Sequence, residues 1–280
     1  VTRLVYLGSP EMAVPPLEAL VAAGFPVELV VTRADARRGR GSGTTPTPVK
    51  VAAERLGLRV SHDVDDVLTT SADLGVVVAF GRIIRPHVLA AVPMVNLHFS
   101  LLPRWRGAAP VERALLAGDT ETGVCLMQVE EGLDTGGVYA RRYVPIGADT
   151  TADELRRVLV AEGTDLLVEQ LRRGLAEPEP QVGEVTYANK ISKDELIIDW
   201  RQPPEVVHRL VRLGGATTSF RGASLKVLAA DLVGSTPGDE LVGDVVGGLR
   251  LVEVQPEGKR PMRFADFANG YRPEVGERLG

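Results

Sequence analysis

Leu74-Gly75-Val76-Val77-Val78-Ala79-Phe80 contains no polar side chain. A strand with one wet face would alternate apolar and polar residues. An unbroken apolar run of this length reads as a central strand of a parallel sheet, covered on both faces. The flanking sequence extends the pattern upstream. Residues 3–7 read as a buried strand that stops at Gly8-Ser9-Pro10, residues 12–23 place apolar side chains at helical spacing before Gly24, and residues 27–31, apolar but for Glu28, read as a second strand. Downstream of a helical pattern at 49–56 and a short strand at 58–60 come a helix at 85–90, a strand at 95–98, a helix at 110–117, and strands at 123–129 and 138–144. Thr151-Ala152-Asp153-Glu154 has the capping-box pattern and opens a helix that runs to residue 173, before Gly174. Strands alternating with helices predict a mostly parallel α/β sheet.

The texture changes after this helix. Glu177-Pro178-Glu179-Pro180-Gln181 reads as a stiff, charged linker. Beyond Trp200-Arg201-Gln202-Pro203-Pro204, one helix at 205–213 is followed by short strands at 224–229, 242–246 and 248–254, broken by glycine. That is the pattern of a small β-rich domain of the barrel type. The expected organisation is a first domain over 1–176, a linker over 177–200 and a second domain over 201–280.

The 280 residues are 44% hydrophobic and 25% charged, as in ordinary globular proteins, and no apolar run has the length of a membrane span. No leader-like segment is read at the start, and a cytoplasmic location is expected. The single cysteine, Cys125, lies in an apolar run and reads as a small buried side chain; it excludes a disulfide framework and a cysteine-based zinc site. The net charge of −5 argues against general nucleic-acid affinity. It conceals a local excess: residues 32–50 hold Arg33, Arg37, Arg38, Arg40 and Lys50 against Asp35 alone. This long Arg/Gly/Thr/Pro stretch has no periodicity. Arginine among glycines suits phosphate contact, because glycine lets the backbone approach and the guanidinium binds bidentately; a solvated loop is the other reading.

Nucleotide motifs are missing. Gly8-Ser9-Pro10-Glu11-Met12 is not the dinucleotide fingerprint, no P-loop occurs, and Ser100 lacks a nucleophile-elbow context. The four histidines have no H-x-H or H-x-x-x-H partner, so a metal site is not expected. The segment Asn96-Leu97-His98 stands out. Its amide and imidazole fall two residues apart on one strand face, at the C-terminal end where parallel sheets bind ligands. A catalytic pair and two structural side chains are both compatible with that spacing. Asp134, in Gly132-Leu133-Asp134-Thr135-Gly136-Gly137, reads on residue type alone as a turn residue. Amide, imidazole and carboxylate together are parts for stabilising an oxyanion and moving a proton, yet no nucleophile accompanies them.

The run Asn96-Leu97-His98-Phe99-Ser100-Leu101-Leu102-Pro103, followed by Gly132-Leu133-Asp134-Thr135-Gly136, resembles the 10-formyltetrahydrofolate-dependent formyltransferases. Further segments resemble the branch of that family that acts on aminoacylated tRNA. They are Pro46-Thr47-Pro48-Val49-Lys50, Ala79-Phe80-Gly81, Arg104-Trp105-Arg106-Gly107-Ala108-Ala109-Pro110, residues 118–123, residues 186–193 and Asp199-Trp200. The likeness runs over nearly the whole chain. It departs at Ser42-Gly43, where a basic pair is common.

The resemblance implies a Rossmann-like formyltransferase domain and a C-terminal OB-like barrel. It implies Asn96, His98 and Asp134 as the catalytic trio, and a folate site lined by Ser100, Leu101, Leu102 and Pro103 with Phe80 and Gly81. Arg37, Arg38 and Arg40 would contact tRNA; Lys259 and Arg260, a second basic cluster, are further candidates, with a solvated hairpin turn as the alternative. The implied co-substrate is 10-formyltetrahydrofolate, the acceptor initiator Met-tRNA, with no metal and no membrane, and a monomer is expected. An external amine would explain the missing nucleophile. Competing readings are a formyltransferase acting on an amino sugar nucleotide or glycinamide, a folate-dependent hydrolase, and a non-catalytic RNA-binding module. The acidic total charge and 5% aromatic content disfavour the last.

Overall fold

The apolar runs become the strands of one sheet. A computed structural model describes residues 1–37, 44–274 and 276–280, with only the backbone of Arg37. The chain begins with β1 (Leu4–Gly8), α1 (Val14–Ala22), β2 (Val27–Val31), β3 (Ala36–Arg37), β4 (Thr44–Thr45), α2 (Pro48–Arg55), β5 (Val60–Ser61), β6 (Leu74–Val78), α3 (Pro86–Ala91) and β7 (Met94–His98). Then come β8 (Arg106–Gly107), α4 (Pro110–Ala117), β9 (Glu121–Gln128), β10 (Val138–Pro145), α5 (Ala152–Arg173) and β11 (Tyr187–Ala188).

The seven-stranded sheet has the order β10-β9-β7-β6-β1-β2-β5. Strands β5, β2, β1, β6 and β7 are parallel, and β9 and β10 extend the sheet antiparallel to their neighbours. The chain winds outward from β1 to one side and then to the other, the doubly wound order that opens a crevice at the strand C-termini. Every residue of β1 and β6 is buried, as the unbroken apolar runs require. On one face Leu7, Val31, Val77 and Met94 pack with Val64, Val67 and Val88. Each such burial contributes roughly 1.5–3 kcal/mol. Against β7 and β9 lies α5. A Cβ added at Gly163 would stand 3.1 Å from Val124 and 3.6 Å from Leu97 and Phe99, so the helix approaches closely there. Arg142 of β10 ties to Glu162 and Glu169 of α5 at 2.9 and 2.7 Å.

Three local expectations change. The first helix begins at Val14, after a 3₁₀ turn over Glu11–Ala13. Pro15 and Pro16 have no N–H and fit only the first turn of a helix. The basic stretch carries a short ladder, with Ala36 opposite Thr45 and Arg37 opposite Thr44. The segment read as a linker pairs with the sheet. Val138 and Glu179 exchange backbone hydrogen bonds of 2.8 and 2.9 Å beside β10, and β11 pairs in parallel with β8.

Contacts divide the chain into two compact units, the first comprising Val1–Pro110, Glu121–Pro145 and Arg156–Ala188, the second Val111–Thr120, Ile146–Leu155 and Asn189–Gly280. The second unit holds α6 (Pro204–Val211), β12 (Thr217–Phe220), β13 (Ala223–Leu232), β14 (Leu241–Val242), β15 (Val245–Val246), β16 (Leu249–Pro256), β17 (Met262–Arg263) and α7 (Phe264–Tyr271). Its six-stranded sheet has the order β12-β13-β16-β15-β14, with β17 on β16, and all pairs are antiparallel. Isolated bridges join Phe220 to Leu279 and Glu240 to Arg278. The strand expected over 242–246 is a hairpin, because Gly243 turns the chain with φ of 65°. The helix α7 was not expected. Phe264, Phe267 and Tyr271 recur at helical spacing and build an aromatic core with Phe220.

Gly123 lies where β9 and β10 pair, and a Cβ there would collide with the Arg142 carbonyl oxygen and the Leu101 side chain. Gly123→Ala should therefore destabilise the protein by about 1–3 kcal/mol. Thermal or urea unfolding checks this, and an unchanged midpoint would refute it.

Candidate active site

The end of β7 is the last parallel strand end of the sheet. Asn96 and His98 share its face with Met94, which belongs to the apolar cluster beneath α3. Across the strand pair, Asn96 stands opposite Met127 and His98 opposite Cys125. Those two apolar partners form a floor with Leu102 and Val138. Burial pushes the Cys125 thiol up to about 11, so it serves as an apolar filler. Asn96 is partly exposed, and its side-chain amide has no hydrogen-bond partner among the described residues.

His98 is 5% exposed. Its Nε2 lies 2.9 Å from the carbonyl oxygen of Trp105. A carbonyl can only accept, so Nε2 donates. Nδ1 is thereby the remaining nitrogen, and it faces Oδ2 of Asp134 at 3.6 Å. Trp105 turns its carbonyl toward the imidazole with φ of 63°, and Asp134 has φ of 50°. Left-handed backbone at non-glycine residues is uncommon and needs support from its surroundings.

That support is visible around Asp134. Its Oδ2 accepts a hydrogen bond of 2.8 Å from the Gly107 N–H. Gln181 Nε2 donates to the carbonyl oxygens of Asp134 and Gly136, each at 2.8 Å. Arg106 Nε and Nη2 donate to Gln181 Oε1 at 3.1 and 2.7 Å. The Trp105 N–H donates to Thr186 Oγ1 at 2.9 Å. None of Trp105, Arg106, Gln181 or Thr186 was singled out from the sequence. Trp105, Arg106 and Thr186 lie within the segments 104–110 and 186–193 that carry the family resemblance. Gln181 lies outside them and acts through contacts between segments distant in the chain, which no local pattern encodes.

The other expected site residues take different positions. Ser100 is fully buried, and its hydroxyl donates to the Arg104 carbonyl at 2.6 Å. Leu102 lies in the floor, and Phe80 belongs to the cluster beneath α3. The Leu101 side chain lies against Gly123. Pro103 is buried after a cis peptide bond, and Gly81 is exposed with φ of 69°. The side chains of Ser100, Leu102 and Phe80 are thus engaged within the protein. Lys259 and Arg260 are exposed in the turn between β16 and β17. Arg38 and Arg40 lie outside the described residues, as does the side chain of Arg37. Among the described residues no three His, Cys, Asp or Glu side chains gather as a metal site.

One imidazole nitrogen and a carboxylate therefore meet at a strand end over an apolar floor, with Asn96 two residues earlier on the same strand face. Such a set can donate to a developing oxyanion and pass a proton. The geometry makes a spectroscopic prediction. In long-range ¹H–¹⁵N spectra, neutral His98 should carry its hydrogen on Nε2; a neutral ring protonated at Nδ1 would contradict the assignment.

Residues 2–171 match the family model described as formyl transferase, and residues 190–272 match that of the formyl transferase C-terminal domain. Methionyl-tRNA formyltransferase of Halorhodospira halophila is 44% identical, covering 98% of this chain and 98% of its own length. The protein of the same name from Roseiflexus sp. is 42% identical, covering 99% of this chain and 95% of its own length. Among solved structures, an N-formyltransferase from Helicobacter canadensis, in complex with folinic acid and dTDP-3-aminofucose, shares the fold with a TM-score of 0.68 at 18% identity, covering 91% of this chain and 100% of that one. HypX from Aquifex aeolicus, in complex with tetrahydrofolic acid, gives 0.67 at 18% identity over 99% of this chain and 48% of that one. The first match spans the parallel sheet, both residues of the β7 pair and Asp134, and the second spans most of the antiparallel sheet: the chain belongs to the formyl transferase family.

Proposed function

We propose that the chain transfers the formyl group of 10-formyltetrahydrofolate to the α-amino group of methionine esterified to initiator tRNA. The observation that carries this is the approach of Asp134 Oδ2 to His98 Nδ1 at 3.6 Å, with Asn96 on the same face of β7. The likeness to methionyl-tRNA formyltransferases over nearly the full chain supports the acceptor.

In the reaction the neutral amine attacks the formyl carbon. A new C–N bond forms, the carbonyl oxygen gains charge, and the bond to N10 then breaks. The amine gives up one proton and N10 receives one, so none is consumed overall. Asn96 donates to the oxyanion. His98, anchored through Nε2, turns Nδ1 toward the reacting group, and Nδ1 with Asp134 handles the moving proton. Because the amine is the nucleophile, the site needs no serine or cysteine. The main chain of residues 100–103 and of Phe80-Gly81 offers the folate its polar contacts, since the Ser100, Leu102 and Phe80 side chains are engaged elsewhere.

The first unit is the folate-binding, catalytic part, and the antiparallel sheet is the tRNA-binding part. The bridges of Phe220 with Leu279 and of Glu240 with Arg278 favour an OB-like barrel. Arg37, Arg38 and Arg40 supply phosphate contacts, with Lys259 and Arg260 as a second basic cluster. The proposed enzyme acts as a monomer in the cytoplasm, where its tRNA acceptor is used.

The acceptor is tested by formyl transfer from 10-formyltetrahydrofolate to Met-tRNA, an amino sugar nucleotide, glycinamide and water in parallel. Transfer to Met-tRNA alone is expected, and preference for any other acceptor would overturn the proposal. Asp134→Asn should remove nearly all turnover while folate binding persists, and Asn96→Ala should lower kcat by about 10²–10³; near-normal turnover in either would remove that residue from the chemistry. Arg40→Ala should raise the KM for tRNA and flatten its salt dependence. An unchanged KM and salt slope would take the basic loop out of the phosphate contact.

A further inference from the structure

Gln181 falls between the two family matches, in the stretch that composition reads as linker. Its side-chain amide is nevertheless fully committed. Arg106 can only donate, so Oε1 faces the guanidinium and Nε2 faces the two carbonyls. Both Nε2 hydrogens are then spent, one on the Asp134 carbonyl and one on that of Gly136, each at 2.8 Å. The guanidinium grips Oε1 with Nε at 3.1 Å and Nη2 at 2.7 Å. Arg106 immediately precedes Gly107, whose N–H holds Asp134 Oδ2 at 2.8 Å. The contacts close a ring: Asp134 side chain to Gly107, along the chain to Arg106, across to Gln181, and back to the Asp134 main chain. Both ends of the aspartate are thereby referred to the same strand, β8.

We infer that Gln181 and Arg106 form a clamp that sets the position of Asp134 against His98. Gln181 is a positioning residue, acting through Asp134 without touching substrate. The clamp has a definite task. Asp134 has φ of 50° and sits among Gly132, Gly136 and Gly137, which by themselves give its backbone wide freedom. Its Oδ2 stands 3.6 Å from Nδ1, a separation at which a small rotation of the main chain decides whether one proton serves both atoms. Gln181 is itself held from behind. Val138 and Glu179 exchange two backbone hydrogen bonds, and Gly137 stands against Pro178, so the segment is fixed on the edge of the sheet that also carries the aspartate loop. The stretch 177–181 thus works as a brace for the site.

This inference rests on the proposed role of Asp134, and the test separates the two. Gln181→Ala and Gln181→Glu are compared with Asp134→Asn, alone and combined, in the full-length chain. Steady-state and single-turnover formyl transfer to Met-tRNA are measured together with thermal midpoints. Glutamate keeps the acceptor for Arg106 but cannot donate to the two carbonyls. Both Gln181 variants should lose kcat by about 10²-fold, the scale on which catalytic groups respond to misplacement by an ångström, with the KM values for folate and tRNA and the thermal midpoint little changed. In the Asp134→Asn background, the Gln181 substitutions should cost no more turnover, because they act through that carboxylate. Normal turnover in Gln181→Glu, a loss confined to KM, or a full additional loss on top of Asp134→Asn would each overturn the clamp. If Asp134→Asn itself turns over normally, the catalytic reading fails first. If it is inactive while Gln181→Ala is normal, only the clamp fails.

Discussion

The hydrogen bond from His98 Nε2 to the Trp105 carbonyl determines what the rest of the site can do. It orients a buried imidazole, commits one nitrogen and leaves Nδ1 as the nitrogen that meets Asp134. Without it, the ring could turn and the carboxylate would face either nitrogen. The bond depends on Trp105 holding a left-handed backbone, and Trp105 depends on Thr186 and on the pairing of β8 with β11. A residue more than eighty positions away in the chain therefore helps to choose the nitrogen that faces Asp134.

The sheet sets the stage on which this bond operates. Parallel strands bring Asn96 and His98 to the crevice where strand ends are open, and the antiparallel addition of β9 places Met127 and Cys125 opposite them. The site thus has a polar edge over an apolar floor. Reacting groups in such surroundings feel fixed dipoles more strongly than they would in water. The proposed chemistry needs little else from the protein, since the attacking amine belongs to the acceptor.

The parallel sheet was legible because its signal is local: buried parallel strands must be apolar throughout, and 74–80 shows it. The Asn96/His98 face was legible from a spacing of two. The helix α7 also has a local signal, aromatic side chains at 264, 267 and 271 in helical spacing. Asp134 was not legible from spacing alone, because an aspartate among glycines reads as a turn and in fact forms one. Its meeting with His98 arises from the β9–β10 connection folding back over the end of β7, which only tertiary contacts establish. Gln181 was hidden for a stronger reason. Glu177-Pro178-Glu179-Pro180-Gln181 has the composition of an extended spacer, and it is extended; what composition omits is that its backbone bonds go to Val138.

The central claim is that a formyl group is held between Asn96 and the His98–Asp134 pair. A crystal structure with a stable 10-formyl folate analogue bound tests it most directly. The account predicts the formyl oxygen within hydrogen-bond distance of Asn96 Nδ2, the formyl carbon beside His98 Nδ1, and the folate against the main chain of residues 100–103. An analogue bound elsewhere, or with its formyl group turned away from β7, would contradict it.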